Sequence, residues 1–227
     1  MFCMRWTVEF SDEVRSWYLG LSPAGRATAD RILERLASQG NMLRMPHSRS
    51  LGGGLYELRF ACENVSQRIT YVFELDRRAV TLTAFRKQRQ NERGEILRAR
   101  RAQAACQAAD ATRKDATKKE GRGTMSTSAA TTSWEQVREE SLAAMTEAER
   151  AEYDAASIEA EARLQLAELV YNARTAAGLS QTELARRAHT RQAVISAIES
   201  GAQAPGGIML ARIAHALGGT LSIHVAA

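Results

Sequence analysis

Five basic side chains lie near one another in the first half of the chain, in a pattern suited to binding phosphate. Arg59 and Arg68 flank a short polar segment between two apolar runs, and Arg86, Lys87 and Arg89 follow the next apolar run. Guanidinium groups bind phosphate oxygens bidentately and can offset the negative charge that develops at a scissile phosphate. The five residues are therefore candidate catalytic residues for cleaving a phosphodiester. A solvated basic surface is the alternative.

Three runs of apolar and β-branched residues must position these cations. They cover 51–60, 67–75 and 79–85, and turn residues separate them, so they predict three strands in an antiparallel meander. Since Arg59 and Arg68 lie on either side of the first turn, antiparallel pairing can bring them together on one face of the sheet.

Helices are predicted on both sides of this meander. An alternating strand at 6–10 comes first, and the cap-type residues Ser11 and Ser22 each precede an apolar pattern of helical spacing. A further helix is predicted over 91–109. The fold class is therefore α+β, with an antiparallel sheet packed against helices, and the domain is predicted to cover residues 1–105.

The ordered segments 51–59, 68–73 and 83–87 resemble the RelE/HigB toxin superfamily, and are most similar to its phage-derived Gp49-like branch. Members of that superfamily cleave mRNA on the ribosome. The resemblance implies a metal-independent endoribonuclease without a cofactor, in which a 2′-hydroxyl attacks the adjacent phosphate. Arg59 and Arg68 match strand cations of the family, and Arg86, Lys87 or Arg89 match its basic segment after the last strand.

The general base of this reaction is left open. Glu57 stands where some RelE members carry a second strand lysine. Tyr56 and Tyr71 can stack on a base or donate a proton, and His47 can accept one, but packing in the fold is the favoured role for all three.

Residues 106–133 join the two halves of the chain. Ala, Thr, Lys, Asp, Gly and Ser dominate there, and this composition predicts a flexible linker because it offers little to bury. Met125 suggests either a second start codon, with two reading frames fused in one chain, or an ordinary linker methionine.

An acidic segment follows the linker and is predicted to be helical over 134–164. Residues 135–168 contain 10 Asp or Glu and 3 Arg, whereas residues 1–124 contain 23 Lys or Arg against 14 Asp or Glu. Thr146 and Glu149 have the spacing of a capping box. Opposite charge predicts that this segment neutralises the basic domain; an acidic, solvated helix is the alternative.

The last part of the chain, 165–227, is predicted to be an all-α domain. Residues 178–201 contain a capped helix, a turn at His189 and a second helix that stops at Gly201, and they resemble the Xre/Cro-type helix-turn-helix of HigA-like antitoxins. Many members have glycine at the turn, but histidine tolerates a left-handed backbone better than most residues do.

This second resemblance implies binding of operator DNA in the major groove. Arg191, Gln192 and Ser196 are then candidates for contacts to base edges, while Gln181 and Thr190 would hold phosphates. The resemblance also implies a homodimer through this half. Alternating apolar residues at 221, 223 and 225 predict a final strand.

Composition argues against several other classes of protein. Apolar stretches fall far short of the roughly 20 residues that span a bilayer, so a cytoplasmic protein without a membrane partner is expected. The three cysteines form no CxxC pair, which supports neither a disulfide framework nor a zinc site.

Two hypotheses follow from the whole sequence. The first is a toxin and its antitoxin in one chain, with mRNA on the ribosome and operator DNA as partners and with toxin-antitoxin contact within or between chains. The second is a non-enzymatic transcriptional regulator whose first domain is a degenerate interaction module.

Overall fold

The computed structural model describes residues 5–88, 92–119 and 131–222, with side chains for all of these except 110–119. The predicted order, an α+β region followed by helices, is confirmed. The strands in this part are β1 (Thr7–Phe10), β2 (Ser48–Gly52), β3 (Leu55–Cys62), β4 (Val65–Glu74), β5 (Arg78–Arg86) and β6 (Thr132–Ser133). The helices are α1 (Asp12–Leu19), α2 (Pro23–Gln39), α3 (Glu92–Lys119), α4 (Trp134–Ala143), α5 (Glu147–Ala176), α6 (Gln181–Arg187), α7 (Gln192–Glu199) and α8 (Gly207–Ala216).

The strands form one sheet in the order β2-β3-β4-β5-β1-β6. Neighbours are antiparallel except β1 and β5, which are parallel. The predicted meander is confirmed as β3, β4 and β5. The sequence did not predict β2 or β6, which lie at the two edges of the sheet.

The prediction of one strand over 51–60 is wrong, because the chain reverses direction within that range. Gly52, Gly53 and Gly54 have φ angles of 83°, 52° and 74°, a left-handed conformation that glycine adopts at little cost. The three residues therefore form the turn of a hairpin between β2 and β3.

The two faces of the sheet are covered by different helices. Apolar side chains of one face, among them Leu58, Phe60 and Ile69, form the main core with α1 and α2. On the other face, Leu55 and Val72 pack with Ala99 of α3. Because α3 covers only part of that face, the ends of β3 and β4 remain available to other elements.

The predicted flexible linker 106–133 is corrected at both ends. Helix α3 continues through 106–119, since its alanines and charged residues favour a helix, and Thr132–Ser133 pairs with β1 as strand β6. Residues 120–130, including Met125, lie outside the described residues.

The acidic segment is built into the core of the first domain. Trp134 and Val137 of α4 and Leu164 of α5 belong to the same buried cluster as Leu58 and Phe60. The predicted capping box of Thr146 and Glu149 is confirmed at the start of α5. Helix α5 then runs unbroken from Glu147 to Ala176, across the predicted boundary between the acidic segment and the last domain.

The end of α5 packs with α6, α7 and α8 around a second core. Val170, Leu184, Ile195 and Ile213 are buried together there. His189 has a φ of 51°, as the tolerance of histidine for this backbone predicts. The predicted final strand begins at Leu221, which is not in a strand, and its residues from 223 on lie outside the described residues.

No helix within the described ranges is long and apolar enough to cross a membrane.

Candidate functional site

Arg59 and Arg68 are direct cross-strand neighbours. They are register partners in the antiparallel pair of β3 and β4. Side chains of directly opposed residues lie on the same face of a sheet, so both guanidinium groups lie on the face that α3 covers in part. The predicted proximity of the two arginines is therefore observed.

Glu57 lies on the same face and holds the two arginines together. Its carboxylate oxygens are 3.6 Å from Nε of Arg59 and 4.0 Å from Nε of Arg68. Burial, followed by the charge of Arg59, lowers the pKa of Arg68 to about 10, and the charge of Glu57 opposes this shift. Arg68 is only 5% exposed and remains cationic at neutral pH, so an approaching phosphate would meet a concentrated positive charge.

Two of the other three candidate cations, Arg86 and Lys87, can be placed in the structure. Arg86 pairs with Gln67, so strand alternation directs its side chain to the opposite face from Arg68. Lys87 is exposed just beyond β5, and Arg89 lies outside the described residues. Among the four candidates that the structure describes, Arg59 and Arg68 are the pair that it brings together.

Tyr56 and Tyr71 pack in the sheet. They lie on the face opposite the arginines, with ring centroids 5.5 Å apart. Tyr71 is fully buried and its hydroxyl is 2.7 Å from the Ser48 hydroxyl; burial raises the pKa of Tyr71 to about 12.

His47 is buried in the loop before β2. Burial, then the charge of Arg35, lowers its pKa to about 4. The nearby backbone of Leu164 in α5 opposes this shift, so the imidazole lies against the acidic segment and is neutral at physiological pH.

Arg59 and Arg68 line a partly open cleft of about 60 Å³, and residues of the helical domain form its other side. Such a volume holds only a few water molecules. The remaining lining comes from the loop before β2 and from α5, α6 and α7: Met45, Pro46, Tyr171, Gln181, Ser196, Glu199 and Ser200.

The candidate DNA contacts fall into two groups. Arg191 and Gln192, at the start of α7, are exposed, whereas Gln181 and Ser196 are half-buried in the wall of the cavity. Gln192 Nε2 donates to Gln181 Oε1 at 2.8 Å, so these two side chains support each other. Thr190 lies in the turn, and Arg191, rather than Thr190, occupies the N-cap position of α7.

A buried ion pair fixes α7 to the end of α5. Arg174 donates to both carboxylate oxygens of Glu199, from Nε at 2.5 Å and from Nη2 at 2.8 Å. Gln181 Nε2 also donates to Glu199 at 2.8 Å. This network holds Gln181 in place, and its hydrogen bonds to Glu199 raise the pKa of Arg174.

The acidic segment docks on α2 around the buried carboxylate of Asp30. Trp134 Nε1 donates to Oδ1 at 2.7 Å, and the hydroxyls of Tyr153 and Tyr18 donate to Oδ2 at 2.7 and 3.1 Å. Arg138 Nε is 3.5 Å from the same carboxylate. Burial nevertheless raises the pKa of Asp30, and the three donors oppose that shift.

Three arginines of α2 also bind the segment. Arg26 donates to Ser141 and Arg31 to Ser157, each at 2.8 Å, while Arg35 forms ion pairs with Glu161 at 2.8 Å and Glu168 at 3.4 Å. The predicted attraction between opposite charges therefore accounts for part of the contact, and the buried Trp134 and Tyr153 supply the rest.

Residues 16–104 match the family described as Phage derived protein Gp49-like (DUF891), and residues 170–223 match the family described as Helix-turn-helix. The chain joins a Gp49-like domain to a helix-turn-helix domain. The match to the helix-turn-helix family supports DNA binding by the second domain. The order of the two domains matches a toxin-antitoxin arrangement. No curated protein and no solved structure matches the chain.

The docking elements lie between the two matched regions. Helix α4 and most of α5 fall within 105–169, outside both the Gp49-like and the helix-turn-helix match. The sequence indicated their charge, their helical character and the apolar residues Trp134 and Tyr153 as a docking surface, but it did not indicate Asp30 as the partner. The available signal was a carboxylate at position 30, within the apolar stripe of α2.

Proposed function

We propose that this chain is a toxin and its antitoxin in one polypeptide. The Gp49-like domain is a metal-independent endoribonuclease that cleaves mRNA on the ribosome, the acidic segment neutralises it, and the helix-turn-helix domain binds operator DNA as a homodimer and represses its own transcription. The observation that carries the proposal is the pairing of Arg59 with Arg68 on the part of the sheet face where α7, rather than α3, lies over the strands.

The proposed chemistry is attack of an RNA 2′-hydroxyl oxygen on the adjacent phosphorus, with departure of the 5′ oxygen. Negative charge grows on the phosphorane oxygens and on the leaving oxygen. Two adjacent guanidinium groups in a partly desolvated site can offset that charge, because electrostatic interactions strengthen where water is excluded. Glu57 lies beside both cations and serves as their positioning residue.

Neutralisation is proposed to be steric as well as electrostatic. Helices α4 and α5 dock on α2, away from the arginines, while the end of α5 carries the helix-turn-helix domain over Arg59 and Arg68. The remaining cleft of about 60 Å³ holds only a few water molecules, so the proposal is that RNA cannot reach both arginines while the helix-turn-helix domain stays in place. Activity therefore requires displacement of α5 from α2.

A full-length variant with weakened docking tests this function. Glu161→Arg with Glu168→Arg places two cations against Arg35 and should release α5, whereas the same substitutions at the exposed Glu152 and Glu159 are the matched control. We expect the released variant, but neither the control nor the wild type, to arrest translation and cleave mRNA on purified ribosomes. Adding Arg68→Ala to the released variant should abolish cleavage.

The non-enzymatic regulator is the second candidate. The burial of Arg68 beneath the helix-turn-helix domain favours it, since such an arginine can serve as a structural contact. A released variant that is folded, has an accessible cleft and leaves mRNA intact would establish this alternative.

A further inference from the structure

The cleft over the paired arginines contains part of the surface that would read DNA. Gln181 and Ser196, two candidate DNA contacts, line the cavity together with Arg59 and Arg68. The other half of that surface, Arg191 and Gln192, is exposed. One face of α7 is therefore divided between solvent and the Gp49-like domain.

A DNA duplex would need the whole of this face. Gln192 and Ser196 are four residues apart on α7 and so lie on the same side of the helix. An α-helix about 10–12 Å across fills a major groove about 12 Å wide, so the walls of the groove pass on both sides of α7. On one of those sides the loop residues Met45 and Pro46 share the cavity with Ser196 and Ser200.

We propose that binding of duplex DNA and closure of the cleft over Arg59 and Arg68 exclude each other. The inference rests on the proposed DNA binding and extends it. The same surface of α6 and α7 has two alternative partners, a DNA duplex and the arginine-bearing face of the sheet. Loss of one partner then favours binding of the other.

Helix α5 is the element that couples the two states. It contains neither glycine nor proline between Glu147 and Ala176, and kinks concentrate at such residues. Its end is fixed to α7 by Arg174 and Glu199. The helix-turn-helix domain therefore moves with α5, and opening the cleft requires α5 to leave α2.

The ion pairs of Arg35 oppose that movement. Arg35 forms ion pairs with Glu161 and Glu168 of α5. It also lies beside His47, which is close to the backbone of Leu164. Removing the guanidinium group should lower the cost of opening. Under the proposal, loss of this positive charge makes the chain a better ligand for a polyanion.

The direction in which DNA affinity changes when Arg35 loses its charge provides the test. We expect Arg35→Gln to raise the affinity of the full-length protein for a random-sequence DNA duplex at least threefold at low salt. Arg101→Gln, which removes an exposed arginine from α3, is the matched control and should leave affinity unchanged or lower it. An equal or lower affinity for Arg35→Gln than for Arg101→Gln would overturn the proposal.

Hydrogen exchange of the wild type gives a second measurement that needs no variant. Addition of the duplex should accelerate exchange of 44–47 and of the strand ends around Arg59 and Arg68. Unchanged or slower exchange with duplex bound would mean that DNA binds without opening the cleft, and would also overturn the proposal.

A reversible tether separates this inference from the proposed function. Joining Met45→Cys to Ser200→Cys with a cleavable bismaleimide should lower duplex affinity at least tenfold, and cleavage of the linker should restore it. Each single-cysteine variant, treated alike, is the control. Full affinity in the tethered protein would refute exclusion but leave DNA binding intact, whereas no duplex binding by the untethered wild type would refute both.

Discussion

The indole Nε1 of Trp134 donates a 2.7 Å hydrogen bond to Oδ1 of Asp30, a residue 104 positions earlier in the chain. Trp134 is fully buried in the core of the Gp49-like domain, although it lies outside the matched range 16–104. The acidic segment therefore completes the first domain as well as contacting it. Expressing residues 1–124 alone would remove a core side chain together with strand β6.

Trp134→Ala should destabilise the full-length protein by roughly 3–5 kcal/mol, because it leaves a large cavity and an unpaired buried carboxylate oxygen. Trp134→Phe keeps most of the volume and loses only the donor, so a smaller loss of about 1–3 kcal/mol is expected. Urea unfolding measures both values. Ile158→Ala, at a position 74% exposed on α5, should change stability by less than about 0.5 kcal/mol. Equal effects of Trp134→Ala and Ile158→Ala would contradict the packing described above.

Local patterns predicted much of the first domain, because its signals are short in range. The alternating runs gave β1 and the meander, and Ser11, Ser22 and Thr146 cap helices as their spacing indicates. The cross-strand proximity of Arg59 and Arg68 could be predicted because a short turn joins their two strands. In each case the positioning information lies within about ten residues of sequence.

Long-range partners could not be predicted in the same way. The carboxylate of Asp30 accepts hydrogen bonds from donors on α1, α4 and α5. No local sequence pattern predicts which residues those donors are. Thr132–Ser133 becomes a strand only because the edge of β1 is there to pair with it. The cavity under α7 likewise depends on the docking of α5, which periodicity cannot specify.

Acidification should weaken the protein through His47. Its folded-state pKa of about 4 lies below the ordinary value of 6.5, so the unfolded chain binds the proton more readily. The contribution of neutral His47 to the free energy of unfolding is therefore fully present above pH 6.5. It falls by about 3 kcal/mol as the pH drops from 6.5 to 4. Urea unfolding at a series of pH values measures this slope.

His47→Gln is the control for that slope, because glutamine does not titrate. Asp30 acts in the opposite direction, since its raised pKa makes the folded chain bind its proton more readily as the pH falls. The difference between wild type and variant isolates His47. Identical pH dependence in the two proteins would show that His47 does not remain buried and neutral.

Glu199→Gln should destabilise the helix-turn-helix domain by roughly 3–5 kcal/mol, because it leaves Arg174 with an incomplete partner in a buried position. The variant should also weaken DNA binding, since Gln181 loses the carboxylate that holds it. Replacing both charges, with Arg174→Met and Glu199→Leu, should cost much less stability. Thermal unfolding followed by circular dichroism compares the three proteins, and an equally large loss in the double variant would mean that the pair contributes net stability.

Arg191→Ala and Gln192→Ala should each relax DNA specificity at one base position, with a loss of about 1–3 kcal/mol for the preferred base. Both side chains are exposed at the start of α7, the end of a recognition helix that reaches base edges. Selection from a random duplex pool, followed by competition binding at fixed salt, measures the preference. Thr182→Ala, at an exposed position on α6, is the control and should leave it unchanged. Arg191→Ala could instead lower the affinity equally for all DNA sequences and reduce its salt dependence. That outcome would mean that Arg191 contacts phosphate and that Gln192 and Ser196 contact the bases.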